Sequence, residues 1–144
     1  MSRSFIVNTE HNPHLTLKDF MNSLKNLTPF DMDSLKIFHN RQEIHSDCFD
    51  KISLNTGLTV LMIDDVRTYI NCHGDDVEKN KFWWYIESRA LEGRGRSLFV
   101  ASACIIANLT DGLANSADGA WNHNPDQYYD GSALWKEYLH IEMK

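Results

Sequence analysis

Between positions 17 and 27 the apolar residues are Leu17, Phe20, Met21, Leu24 and Leu27, the three-and-four spacing of a helix with one buried face. Thr16 stands where an N-cap belongs, and Asp19 takes the N3 place of a capping box in which Glu is more usual. Thr28-Pro29 stops the helix, because a residue before proline is pushed out of helical geometry. Strand patterns lie on either side. Residues 4–9 predict an opening strand. Residues 35–44 predict a second, turning near His39, Asn40 and Arg41. Phe49, Ile52 and Leu54 alternate imperfectly, and Asn55-Thr56-Gly57 is a turn signal.

The run LTVLMI at 58–63 is apolar throughout, as in a central strand. Asp64-Asp65 interrupts it. In residues 66–72 Val66, Thr68, Ile70 and Cys72 then share one face, and Arg67, Tyr69 and Asn71 the other. Residues 73–76 predict a polar loop that continues through Glu78-Lys79-Asn80-Lys81. In the strand predicted over 82–91, Phe82, Trp84, Ile86, Ser88 and Ala90 form a core face. Trp83, Tyr85, Glu87, Arg89 and Leu91 form an amphipathic face in which aromatics sit beside charges.

Ser97 reads as the cap of an almost wholly apolar helix running to about Leu109, with Asp111-Gly112 closing it. Gly131-Ser132 opens a last helix that packs through Leu134, Trp135, Tyr138, Leu139 and Ile141. The pattern therefore predicts one α+β domain over residues 1–144, a mainly antiparallel sheet with helices packed on one face.

Composition narrows the function. No window holds the roughly 18 uninterrupted apolar residues of a membrane span, and the first residues lack the apolar core of a signal peptide, so the expected location is the cytoplasm. The three cysteines, Cys48, Cys72 and Cys104, have no C-x-x-C spacing and predict reduced thiols. The two Asn-Leu-Thr triplets at Asn26 and Asn108 are chance matches to a glycosylation acceptor. The formal net charge is −6. With six basic and seven acidic residues up to position 60, almost all of the excess falls on the remainder. An acidic C-terminal portion repels nucleic-acid phosphates and suits a basic protein partner.

Chemistry is sparse. His39, His45 and His73 have none of the paired spacings of a metal site. Asp64-Asp65 and Asp75-Asp76 read as solvated turn residues or as a partner-facing acidic patch. Ser97, Ser102 and Ser116 lack a nucleophile elbow. Residues 93–97, Gly-Arg-Gly-Arg-Ser, stand before a helix N-terminus and could hold an anion through Arg94 and Arg96, although neither phosphate-loop pattern is complete. The alternative is a hinge whose arginines pair with nearby acids. From 116 to 135, Asp118, Asp126 and Asp130 interleave with Trp121, Tyr128, Tyr129 and Trp135. Aromatics anchor and acids steer in protein interfaces, with the tryptophans read as core and the tyrosines as contacts.

The segment DGLANSADGAW, with the helix before it, resembles immunity proteins of bacterial polymorphic toxin and contact-dependent growth inhibition systems. The residues that carry the resemblance are Arg96, Phe99, Ala103, Leu109, Asp111, Gly112, Leu113, Ser116, Asp118, Gly119, Ala120 and Trp121, in the last third of the chain. The resemblance implies a small cytoplasmic protein without catalysis or cofactor. Such a protein binds a cognate toxin domain, often a nuclease, and blocks its active or target-binding site. Residue type and predicted exposure nominate Asp64, Asp65, Asp75, Asp76, Glu78, Tyr128, Tyr129 and Asp130 as contacts with that basic partner. No direct contact with nucleic acid or membrane is expected. The competing readings are a small anion-binding adaptor using residues 93–97, and a hydrolase or transferase using His73 with Asp75 or Asp76.

Overall fold

The computed structural model describes residues 3–29, 31–76, 81–90, 92–116 and 127–142, with the backbone alone at 74–76 and 81. The elements in chain order are β1 (Arg3–Thr9), α1 (Leu17–Leu27), β2 (Lys36–His39), β3 (Gln42–Glu43), β4 (Leu58–Ile63), β5 (Val66–Asp76), β6 (Lys81–Ser88), α2 (Gly93–Thr110), β7 (Leu113–Ser116) and α3 (Gly131–Glu142). Short 3-10 turns cover Met32–Ser34 and Ser46–Lys51, the latter where the alternation of Phe49 and Ile52 was out of phase.

Helix α1 forms as its capping signals require. The Thr16 hydroxyl accepts from Asp19 N–H at 3.1 Å, and the Asp19 carboxylate accepts from Thr16 N–H at 3.1 Å. Leu17, Phe20, Met21 and Leu24 are buried. Each such side chain contributes about 1.5–3 kcal/mol.

All strand pairings among the described residues are antiparallel, in the order β3-β2-β4-β5-β6-β1-β7. Two hairpins turn through adjacent left-handed residues, Asn40-Arg41 (φ 50 and 71) and Asp64-Asp65 (φ 53 and 62). Positive φ at both central positions gives the turn a twist that matches its flanking strands.

The predicted loop at 73–76 is instead strand. β5 continues through Asp76, which pairs with Lys81, and the register shifts between His73 and Asp76. A bulge of this kind lets a polar, glycine-containing stretch stay in the ladder.

Helix α2 is the centre of the molecule. It packs on β1, β4, β5, β6 and β7 and on both other helices, and residues 98–107 are buried without interruption. A helix covered on every side needs no polar face, which is why its sequence shows little amphipathicity. The buried hydroxyls of Ser102 and Thr110 donate to the carbonyls of Leu98 and Ile106, each at 2.7 Å.

The helix begins at Gly93, so Ser97 lies inside it and is not its cap; the Ser97 hydroxyl sits 2.7 Å from the Tyr138 hydroxyl. Its end also differs from expectation. Asp111 takes the left-handed turn (φ 54, ψ 38), and Gly112 is required for space. A Cβ on Gly112 would lie 2.6 Å from the Asn8 carbonyl oxygen.

In α3, Leu134 and Tyr138 are buried and Trp135 packs against the core. Leu139, expected to pack, is 41% exposed.

Candidate protein-binding face

Every fully buried strand side chain of the core, including Phe5, Val7, Leu61, Ile63, Ile70, Trp84, Ile86 and Ala114, lies on the face that α2 covers. The pairing register defines what lies on the other. Phe38, Val60, Tyr69 and Glu87 form one row across β2, β4, β5 and β6. Leu58, Asn71, Tyr85, Ile6 and Asn115 form the next, and His73, Trp83, Asn8 and Leu113 a third. Among the described residues no helix packs over these rows. Phe38, Val60, Tyr69, Tyr85, Trp83 and Ile6 are half-buried, while Leu58 and Leu113 are 38% and 47% exposed.

The apolar run at 58–63 forms the central strand its pattern predicts, although only one of its faces is packed in the core. β4 is internal to the sheet, but only Thr59, Leu61 and Ile63 are buried. Leu58, Val60 and Met62 continue an apolar surface that faces outward. Contiguous exposed apolar surface rimmed by polar groups is characteristic of protein-interaction sites. Tyrosine and tryptophan are the residues that anchor such sites.

At one end of this face, a groove of about 770 Å³ runs between Trp83, Leu113, Asn8 and Tyr128. Tyr128 is 56% exposed and flanks the groove from beyond β7. Its neighbour Tyr129 differs. The Tyr129 backbone pairs with Ala114, with N–H to carbonyl distances of 2.8 and 2.7 Å, and its side chain packs against the core. Tyr128 is therefore exposed beside the groove, whereas Tyr129 extends the sheet edge.

The nominated acids do not form one patch. Asp64 and Asp65 occupy the β4–β5 turn, and Asp75 and Asp76 lie at the far end of β5. An 11-residue strand separates them by roughly 35 Å. Asp130 has a structural duty: its carboxylate accepts from Ala133 N–H at 2.7 Å and caps α3. Glu78 lies outside the described residues, as do Asp118, Gly119, Ala120 and Trp121.

Several described residues of the resembling segment act as scaffold, while Leu113 lies on the open face. Phe99 packs against Phe5 in a tilted pair with ring centroids 5.0 Å apart, Ala103 is buried, and Gly112 admits the β1 backbone.

The arginines of residues 93–97 are in the first turn of α2 and are engaged. Arg94 grips Asp64 in a two-point pair, Nε–Oδ2 at 3.0 Å and Nη2–Oδ1 at 2.5 Å. This hydrogen bond holds the Asp64 carboxyl below its usual range and raises the Arg94 guanidinium. Arg96 meets Glu142 at 2.9 Å. Both guanidinium groups thus face carboxylates of the chain itself, the hinge arrangement.

Among the described residues, no group of three or more His, Cys, Asp or Glu side chains converges. His73 is an exposed strand residue opposite Trp83. Burial pushes the Cys72 thiol up to about 11, against a weak opposing contact from Asn12, and pushes the buried Cys104 thiol up further. Neither is poised as a nucleophile. No helix among the described residues is long and apolar enough to cross a membrane. No protein-family model, curated protein or solved structure matches this chain.

Sequence reasoning separated the two faces of β5 and β6 but missed that their outer faces join those of the neighbouring strands. The signal was present in the second faces of β5 and β6, where Arg67, Tyr69 and Asn71 meet Trp83, Tyr85 and Glu87.

Proposed function

We propose that this chain is a non-catalytic immunity protein that binds a cognate toxin domain and covers its active or target-binding site. The open face of the sheet is the surface that makes the contact. The observation that carries this reading is the continuous run of half-buried aromatic and aliphatic side chains, Phe38, Val60, Tyr69, Tyr85 and Trp83, across strands whose opposite faces are fully packed. Such a surface gains from being covered, at about 25 cal/mol per Å² of apolar area.

The net charge of −6 supports a basic partner such as a nuclease domain, since complementary charge speeds encounter. It also disfavours direct binding to nucleic acid. The protein acts in the cytoplasm, where a nuclease would do its damage. Steric occlusion needs no cofactor and no chemistry.

The test is co-purification of the tagged chain with the C-terminal domain encoded by the gene immediately upstream, together with growth of cells expressing that domain. The expected result is an equimolar complex and rescued growth. A folded chain that neither binds nor rescues would sink the reading.

A further inference from the structure

The β2–β3 hairpin turns through Asn40 and Arg41, both in the left-handed region. Asparagine is at home there, and glycine is the residue normally found at the second position. Arg41 at φ 71 carries backbone strain that glycine would not. The turn cannot relax, because Asn40 is fastened to β4: its N–H donates to the Leu58 carbonyl at 3.0 Å, and its Oδ1 accepts from Leu58 N–H at 3.0 Å.

A strained residue held by a fixed turn invites the question of what it faces. Arg41 lines a cleft of about 630 Å³ on the open face, with Phe38, Leu58, Val60 and Tyr69 as its apolar lining and Arg67 as the other cation. No carboxylate among the described residues lines this cleft. The acids nearest in register are Glu43, opposite Phe38, and Glu87, opposite Tyr69. Neither pairs with an arginine, and Arg41 and Arg67 have no ion-pair partner among the described residues. Arg94 and Arg96, in contrast, each face a carboxylate of the chain, Asp64 and Glu142.

Two uncommitted guanidinium groups beside an apolar lining are complementary to a carboxylate next to an aromatic or aliphatic side chain. Guanidinium matches carboxylate in planar, two-point hydrogen bonds. We propose that this cleft receives an acidic segment of the partner protein, its apolar side chain seated on Phe38, Leu58 and Val60 and its carboxylates held by Arg41 and Arg67. The inference rests on the open face being the docking face and assigns the local chemistry of one part of it. Overall acidity governs the approach of a basic partner, and this cleft governs the register in which that partner seats.

The probe is the peptide acetyl-Glu-Asp-Phe-Asp-Glu-amide, titrated into the isotope-labelled full chain and followed by amide chemical shifts. Its lysine counterpart and a short oligothymidylate serve as comparisons. The acidic peptide is expected to shift Phe38, Leu58, Val60 and Tyr69 at millimolar concentration, and the lysine peptide is not. Arg67→Gln and Arg41→Gly should each weaken that binding about tenfold. Arg41→Gly should also raise the melting temperature by about 3 °C, because it removes the strained backbone.

No shift in the cleft at millimolar acidic peptide would overturn the proposal. So would equal response to the lysine peptide, or stronger response to the oligothymidylate. Shifts confined to Trp83, Leu113 and Tyr128 would overturn the cleft but leave the face as the docking surface. A toxin-domain complex indifferent to both Trp83→Ala and Tyr85→Ala would instead overturn the docking face itself.

Discussion

Replacing Gly131 by alanine places a methyl group against the backbone of the buried central helix. Gly131 is the first residue of α3, where it meets α2, and a Cβ there would collide with the Cys104 carbonyl oxygen and the Asn108 side chain. Asn108 is exposed and can swing aside. The Cys104 carbonyl cannot, because α2 is packed from residue 98 to 107 between the sheet and the other two helices. The whole of α3 must therefore shift, loosening Leu134 and Tyr138 and stretching the 2.7 Å contact between the Ser97 and Tyr138 hydroxyls.

Overpacking of this kind costs about 1–3 kcal/mol, and an immovable obstacle puts the expected cost near the upper end. The gain in helix propensity from glycine to alanine is small at a first position. For a chain of 144 residues the unfolding entropy is about 0.3 kcal/mol per kelvin, so the melting temperature should fall by roughly 7–10 °C. Calorimetric or circular-dichroism melting checks this, with the exposed neighbour Ser132→Ala expected to stay within about 2 °C of the parent. A Gly131→Ala protein that melts within a degree of the parent would refute the close approach of α3 to α2.

Three further outcomes follow from the same packing. Burial lowers the pKa of His39, whose Nδ1 lies 2.9 Å from the Thr59 hydroxyl. The unfolded chain then binds the proton more readily, so stability is complete above the ordinary histidine value of about 6.5 and is lost as pH falls from there toward the folded-state value. Denaturant titrations between pH 8 and pH 5 should show that slope, and His39→Gln should flatten it; an unchanged slope would contradict the burial. Thiol labelling should leave Cys104 untouched in the native state and modify Cys72 slowly. With its pKa at about 11, roughly one Cys72 in a thousand is ionised at pH 8; fast native labelling of either would contradict the packing around α2 and β5. Leu98→Ala, in a fully buried position, should cost about 2–5 kcal/mol in denaturant unfolding, and a cost below about 1 kcal/mol would show that α2 is not the centre of the core.

Local signals were legible wherever the deciding contacts were close in sequence. Thr16 and Asp19 form the capping box their spacing describes, and Asn40-Arg41 reverses the chain where a turn was expected. The apolar character of α2 marked a helix buried on all sides. Its start was misplaced because Ser97 is a good cap residue, yet Gly93 at φ 69 lets the helix begin five residues earlier, with Glu92 in the cap position.

What the sequence hid is tertiary. Arg94 and Asp64 lie 30 positions apart, so nothing local marks them as partners. Asp130 looked like an interface acid because a capping carboxylate and a steering carboxylate are the same residue type in the same turn-rich setting. The run at 58–63 read only as a central strand, because an apolar residue has the same identity whether it faces a core or an open surface. That ambiguity concealed the open face. The sheet pairing resolves it by setting Val60 beside Phe38 and Tyr69, away from Leu61 and the core.

The most direct test of the account is the affinity of this chain for the toxin domain proposed as its partner, measured by calorimetry for the parent and for Tyr69→Ala, Trp83→Ala and Tyr85→Ala. Leu139→Ala on the outer surface of α3 serves as the control. Central aromatic anchors are worth about 2 kcal/mol or more each, so each face variant should bind roughly thirtyfold more weakly or worse while keeping its fold, and the control should bind as the parent does. Parent-like affinity in all three face variants would contradict the claim that the open sheet face is the binding surface.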